Sequence, residues 1–239
     1  ANGNRDHNFI IVSGGLDDKT MVELMRMGVS DFLSLPLNRE EAIQSVGRVA
    51  AKRGSRRAET QITDSSIITF VHASGGMGAT TLAVNAATLI NEASARRNQQ
   101  ACLLDLDLQY GGASLQLDLP DYSPVMSLLE NPERLDREML DAMMIRHSSG
   151  LRVLTTPETP LPVEAISSDT VNTLLQTARS RYPHIIVDMP QAMTMWTDTV
   201  LKKSKVIYAV TQLNVPGIRQ LRRWLATVEQ EGLYGLPIK

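Results

Sequence analysis

A single cysteine in 239 residues leaves Cys102 with no disulfide partner in the chain. It lies in the apolar run Ala101-Cys102-Leu103-Leu104, where a thiol behaves as a small buried hydrophobe. A reducing compartment, the cytoplasm, is therefore expected. The formal net charge is only -2, so no excess of one sign draws the chain to nucleic acid or an anionic membrane, and any such partner needs a local patch. The sequence shows no signal-peptide pattern and no apolar run of the roughly 20 residues that cross a bilayer. Its four histidines, His7, His72, His147 and His184, have no Cys/His ligand spacing, so no zinc site is expected.

What the chain does have is 43% hydrophobic residues, enough for one sizeable core and a small second module. Phe9 to Val12 reads as a strand and Asp17 to Met27 as a helix stopped at Gly28. The pattern repeats with a strand at Asp31 to Leu35, ended by Pro36, and a helix from Arg39 to Lys52. Two such units are fewer than a domain needs. The opening at Ala1 and its polar surroundings suggest a piece of something longer, with elements missing at the amino end.

Apolar periodicity then stops, and 53–65 reads as a linker between a first module, 1–52, and a second, 66–239. The basic run Lys52, Arg53, Arg56 and Arg57 has no interleaved aromatic residue and reads as solvated linker. Beyond it, strands are expected at Ile67–Val71, Ala101–Leu106, Leu151–Thr155, His184–Asp188 and Val206–Val210. Helices are expected at Thr80–Ala95, Ser123–Leu129, Asp136–Met144, Asp169–Tyr182, Thr194–Lys203 and Ile218–Glu231. Such alternation predicts an α/β, Rossmann-like domain: a mostly parallel sheet with helices on both faces, binding ligands at the carboxyl ends of its strands.

The candidate site follows the first of these strands. Ser74-Gly75-Gly76-Met77-Gly78-Ala79-Thr80-Thr81 runs straight into an Ala/Leu-rich helix. Glycines let backbone amides converge on an anion, and the helix end adds partial positive charge, so this is a phosphate cradle. Thr80 stands where a P-loop hydroxyl reaches Mg²⁺, and Thr81 where one meets a phosphate oxygen nearer the sugar. Asp105 and Asp107 follow the second strand and Asp188 ends a later one; carboxylates there can hold Mg²⁺ or orient an attacking water, though any one alone is as readily a solvated or capping Asp.

In that order, Gly-Gly-x-Gly-x-Thr-Thr, Asp-x-Asp-x-Gln and an apolar run ending Asp-x-Pro resemble the motifs of the ParA/MinD family of deviant Walker P-loop ATPases, over roughly 66–239. Gly78-Ala79-Thr80-Thr81-Leu82-Ala83 and Leu104-Asp105-Leu106-Asp107-Leu108-Gln109-Tyr110-Gly111 most resemble the CpaE/TadZ branch, which places the Tad (Flp) pilus machinery at the cell pole. Members of that branch carry an atypical receiver domain, and Ile11 to Leu37 resembles the second half of one. The acceptor-aspartate half is absent, and Leu35 stands where a working receiver has Lys, so this part is expected to be a docking pseudo-receiver, a partial (βα)2 segment.

The resemblance implies ATP and Mg²⁺ as cofactors. ATP would sit on 74–81, the metal at Thr80, Asp105 and Asp188, and Asp107 would position the attacking water. It also implies a homodimer closed over nucleotide, pilus-assembly or pole-marking partners, and a cytoplasmic place at the pole near the inner membrane, with membrane contact only through partners. No nucleic-acid partner is expected. The family's two lysines in this loop are replaced by Ser74 and Ala79, so binding without fast hydrolysis is expected. Two alternatives stay open: an active partitioning-type ATPase using a lysine from elsewhere, such as Lys202 or Lys203, and a nucleotide-free structural adaptor. The chain ends where the family begins a further strand, so the groups that read the base are not identified.

Remaining features have plainer readings. Met139, Met143 and Met144 lie at helical spacing and read as core filler. Trp196 and Trp224 read equally as core or as partner anchors. Arg219, Arg222 and Arg223 read as a solvated face.

Overall fold

A computed structural model describes residues 10–15, 19–20, 23–24, 29, 31–38, 41–42, 45, 65–120, 123–130 and 132–239. The chain divides into two compact units, Ala1–Gln61 and Ile62–Lys239. In the first, β1 (Ile10–Ser13) pairs in parallel with β2 (Asp31–Ser34). Leu35 N extends that ladder by donating to Ser13 O at 3.1 Å. The helices expected at 17–27 and 39–52 fall mostly outside the described residues, which are helical at 19–20, 23–24, 41–42 and 45. The expected linker lies outside them except for Ser65.

The second unit carries the α/β architecture. Its strands are β3 (Ser66–His72), β4 (Ala101–Asp105), β5 (Ile145–Arg146), β6 (Arg152–Leu154), β7 (His184–Asp188) and β8 (Val206–Val210), in sheet order β5-β6-β4-β7-β3-β8. All neighbours are parallel except β5 with β6. Residues 237–239 begin to pair beside β8: Ile207 N donates to Pro237 O and Lys239 N to Ile207 O.

The helices are α1 (Ala79–Ala95), α2 (Ala113–Gln116), α3 (Val125–Glu130), α4 (Arg137–Met143), α5 (Ser168–Arg181), α6 (Thr197–Lys203) and α7 (Val215–Gln230). Alternation along the strands sends neighbouring residues to opposite faces. Cys102, Leu104, Ile185 and Val187 join one core with Leu140, Leu174, Val200 and Trp224 of α4 to α7. Ala101, Leu103 and Ile186 join a second core under α1, which presents Ala79, Ala83 and Ala87 at four-residue spacing. Small side chains there let the helix lie close on the sheet. Asn91 then pins its far end, accepting from Ala101 N and donating to Ser149 O, both at 3.0 Å.

Local chemistry moved several expected boundaries. α7 starts at Val215 instead of Ile218, because Asn214 caps it through Gly217 N at 2.8 Å and Pro216 occupies the first turn, where no N–H is needed. α6 starts at Thr197 instead of Thr194, whose backbone N–H donates to Thr197 Oγ1 in the preceding turn. The two tryptophans are core: Trp196 and Trp224 are buried, as are Met143 and Met144, while Met139 packs against the same cluster. Arg219, Arg222 and Arg223 are exposed.

Candidate functional site

β3 ends at His72 and the chain turns through Gly76 and Gly78, both at positive φ (73° and 84°), into α1. Those angles suit glycine and a side chain would be strained there. Gly78 occupies the N-cap position, so no side chain caps the helix, and its first turn holds no acidic residue. The amides of that turn are left for an incoming anion.

Pairing of the strands brings the acidic tips together. Asp105 and Asp188 are register partners on β4 and β7, and Asp188 is also the partner of Phe70 on β3. Both carboxyls are buried. Asp105 accepts from Asp107 N at 3.2 Å and from Ala113 N at 3.1 Å, which folds 106–113 back over the strand end. Burial, and then the charge of Asp188, push the Asp105 carboxyl well above the usual carboxylate range. Asp188 accepts no hydrogen bond on either oxygen; His72 Nε2 lies 3.4 Å from its Oδ1, outside hydrogen-bonding geometry.

Asp107 has a different place. Its Oδ1 accepts from Gln109 N and Tyr110 N, at 3.2 and 3.0 Å, and so holds a turn. Thr80 is half-buried in the first turn of α1, where its Cγ2 lies 3.9 Å from the position a Cβ at Gly112 would take. The loop after β4 therefore lies against the start of α1. Ser74 is half-buried and Thr81 exposed, whereas Ala79 points into the core beneath the helix.

Two residues were not singled out from the sequence. No ligand spacing surrounds His72 in the sequence; only the parallel register sets it beside Asp188. Gln191 sits with Oε1 2.9 Å from where a Cβ at Gly75 would be, close against the glycine turn. Its position just after the Asp-x-Pro segment was the available signal.

Residues 65–234 match the family model described as AAA domain. This chain belongs to that AAA-domain family. A ParA family ATPase from Chlorobium tepidum TLS superposes with a TM-score of 0.63 at 23% identity, over 73% of this chain and 72% of that one. The septum site-determining protein MinD from Pyrococcus horikoshii OT3, solved with Mg-ADP, gives 0.56 at 17% identity over 73% and 68%. The fold of the AAA domain is that of ParA/MinD-type P-loop ATPases. A curated relative, the tyrosine-protein kinase ptk of Acinetobacter johnsonii, is 23% identical over 177 residues, 70% of this chain. The chain spans 22% of that relative's length.

A magnesium nucleotide fits the residues present. The uncapped amides of α1 suit a polyphosphate, and the unpartnered oxygens of Asp188 suit a cation, directly or through water. Among the described residues no group of three or more His, Cys, Asp or Glu side chains forms a closed metal cage.

Proposed function

We propose that the AAA domain binds ATP with Mg²⁺ on 74–81 and uses occupancy, with little or no turnover, to close a homodimer that acts as a scaffold or localisation factor for Tad (Flp) pilus assembly at the cell pole. The observation that carries this is a glycine turn and helix end free to take a polyphosphate, beside an unpartnered buried Asp188, with Ser74 and Ala79 where the family has its lysines. When bound, Mg²⁺ would supply charge neutralisation between the phosphate oxygens and the carboxylates. The chain's own residues would hold the phosphates through backbone amides and the Thr81 hydroxyl, and the Thr80 hydroxyl with Asp105 and Asp188 would hold the cation.

What they do not provide is a cation at 74 or 79 to meet the charge that develops during phosphoryl transfer. Asp107, its Oδ1 engaged in a turn, is poorly placed to orient water unless the loop moves. Support for the dimer comes from exposed apolar side chains on segments that leave the carboxyl ends of the strands: Tyr110, Leu115, Met195 and Leu213, each at least 81% exposed. The pilus assignment rests on the resemblance of 78–83 and 104–111 to the CpaE/TadZ branch.

Isothermal titration of the full chain with ATP and Mg²⁺ is expected to show heat and a rise in melting temperature, and a turnover assay a rate far below that of an active family member. No heat and no shift would support a nucleotide-free adaptor instead, and fast turnover an active partitioning-type enzyme. Sedimentation with a non-hydrolysable ATP analogue is expected to show a dimer that Leu213→Glu prevents.

A further inference from the structure

A cavity lies at the opposite end of the sheet from the glycine turn. Ser66, His184 and Val206 are the first residues of β3, β7 and β8, and Arg97 and Gln99 follow the end of α1; together they ring a space of about 600 Å³. It exists because α1 packs over β3, β4 and β7 and covers Val210 near the end of β8 but leaves Tyr208 of the same face exposed. Its floor is apolar, made by Ile68, Ile90 and Val206 with Tyr208, whose ring stacks on Phe70 at 5.2 Å between centroids and remains 41% exposed. Two exposed cations, Arg97 and Lys205, stand at its rim, and among the described residues no Asp or Glu lines it. β3 has seven residues, which separates this cavity from the glycine turn by about 20 Å.

We propose that this cavity binds a small anionic amphiphile, with an apolar or aromatic body on the Ile68, Ile90 and Tyr208 floor and one carboxylate, sulfonate or phosphate head between Arg97 and Lys205. The volume lies within the roughly 300–1,000 Å³ usual for small-molecule sites. The charge of the rim decides the sign of the head. An apolar floor alone takes a neutral body equally well, whereas two cations without a competing carboxylate favour an anion.

The test uses two dyes of similar body and different charge: 8-anilinonaphthalene-1-sulfonate and neutral N-phenyl-1-naphthylamine, titrated into the full chain with fluorescence detection. One saturable sulfonate site per chain is expected. In the double variant Arg97→Gln/Lys205→Gln, sulfonate affinity should fall roughly fivefold or more while the neutral dye changes by less than about twofold, since two exposed charge contacts are lost. Ala93→Trp, which places an indole at the exposed lining position 93, should remove both dyes and leave the unfolding midpoint in place. Raising salt should weaken the sulfonate alone. The proposal is overturned if the sulfonate shows no saturable binding, if both dyes respond alike to the charge substitutions, or if saturating Mg-ATP displaces the sulfonate competitively.

Discussion

Asp105 and Asp188 are register partners on adjacent parallel strands, and the two buried carboxyls are partnered unequally. Asp105 receives two backbone amides and Asp188 receives none. Keeping a carboxylate in the interior without a hydrogen bond costs stability.

Asp188→Asn should therefore separate stability from function. Replacing a buried carboxyl that accepts no hydrogen bond is expected to raise the ligand-free unfolding free energy by about 1–2 kcal/mol, and to abolish the increment that Mg²⁺ and ATP are expected to add to the parent chain. Urea denaturation with and without nucleotide measures both. A variant less stable than the parent without ligand, yet still stabilised by Mg-ATP, would show that Asp188 serves the fold and not the cation.

The pH dependence follows from the same pair. Burial and the Asp188 charge raise the folded-state pKa of Asp105, so the folded chain binds this proton more tightly than the unfolded chain. The stabilising contribution is fully present below the ordinary carboxylate value, about 3.9, and is lost as pH rises through the raised one. Ligand-free stability measured from about pH 4 upward should carry this downward contribution. In Asp188→Asn the slope should be shallower, because one of the two causes of the shift is gone. Equal slopes in the two proteins would mean that the carboxyls do not interact.

Gly111 is required by close approach. A Cβ there would lie 2.5 Å from Thr156 Oγ1 and 2.6 Å from Asp105 Oδ2, the oxygen that accepts from Ala113 N. Gly111→Ala must shift the loop that Asp105 holds, and is expected to cost about 1–3 kcal/mol, with a matching loss of nucleotide-induced stabilisation. Calorimetric melting reads both effects. Gly112→Ala, whose Cβ would meet only Thr80 Cγ2 at 3.9 Å, is the control.

A stability prediction away from the site concerns Asp141. Both its oxygens lie 3.1 Å from Arg181 Nε, and Oδ1 also accepts from the hydroxyl of the buried Tyr182 at 3.2 Å, joining α4 to the end of α5. Asp141→Ala leaves that hydroxyl without its acceptor and is expected to cost about 1–3 kcal/mol by chemical denaturation. In a Tyr182→Phe background the same substitution should cost clearly less, since the hydroxyl is already gone.

The sheet was largely legible because its signals are local. The expected limits of β7 and β8 match the observed ones, since each is a short apolar run with a clear stop. The glycine turn was legible for the same reason: strand, glycines and helix are contiguous in the chain. What escaped depends on pairing between distant residues. His72 acquires meaning only from Asp188, 116 positions later; Asn91 only from Ala101 and Ser149; β5 is two residues long and exists only as a partner for β6. Asp105 and Asp107 stand two positions apart at one strand end, and only the fold shows that one holds an exposed turn while the other stands buried against Asp188.

Ala79 and Ser74 differ in a way that bears on catalysis. Ala79 is fully buried in the core under α1, while Ser74 is half-buried in the turn. A lysine at 74 can reach solvent or a neighbouring subunit without disturbing that core, whereas one at 79 must lead its stem out from beneath the helix, as long amphipathic side chains do. Ser74→Lys is thus expected to leave the melting temperature unchanged, and Ala79→Lys to lower it without ligand. If the lost cations limit turnover, Ala79→Lys should raise ATP hydrolysis by on the order of a hundredfold, the value of one well-placed stabilising group, with a further gain in the Ser74→Lys/Ala79→Lys double variant. The readout is steady-state phosphate release alongside ATP affinity. A double variant that binds ATP normally and hydrolyses it no faster would show that the residues at 74 and 79 do not limit turnover, with Asp107 and the turn it holds as the next position to change.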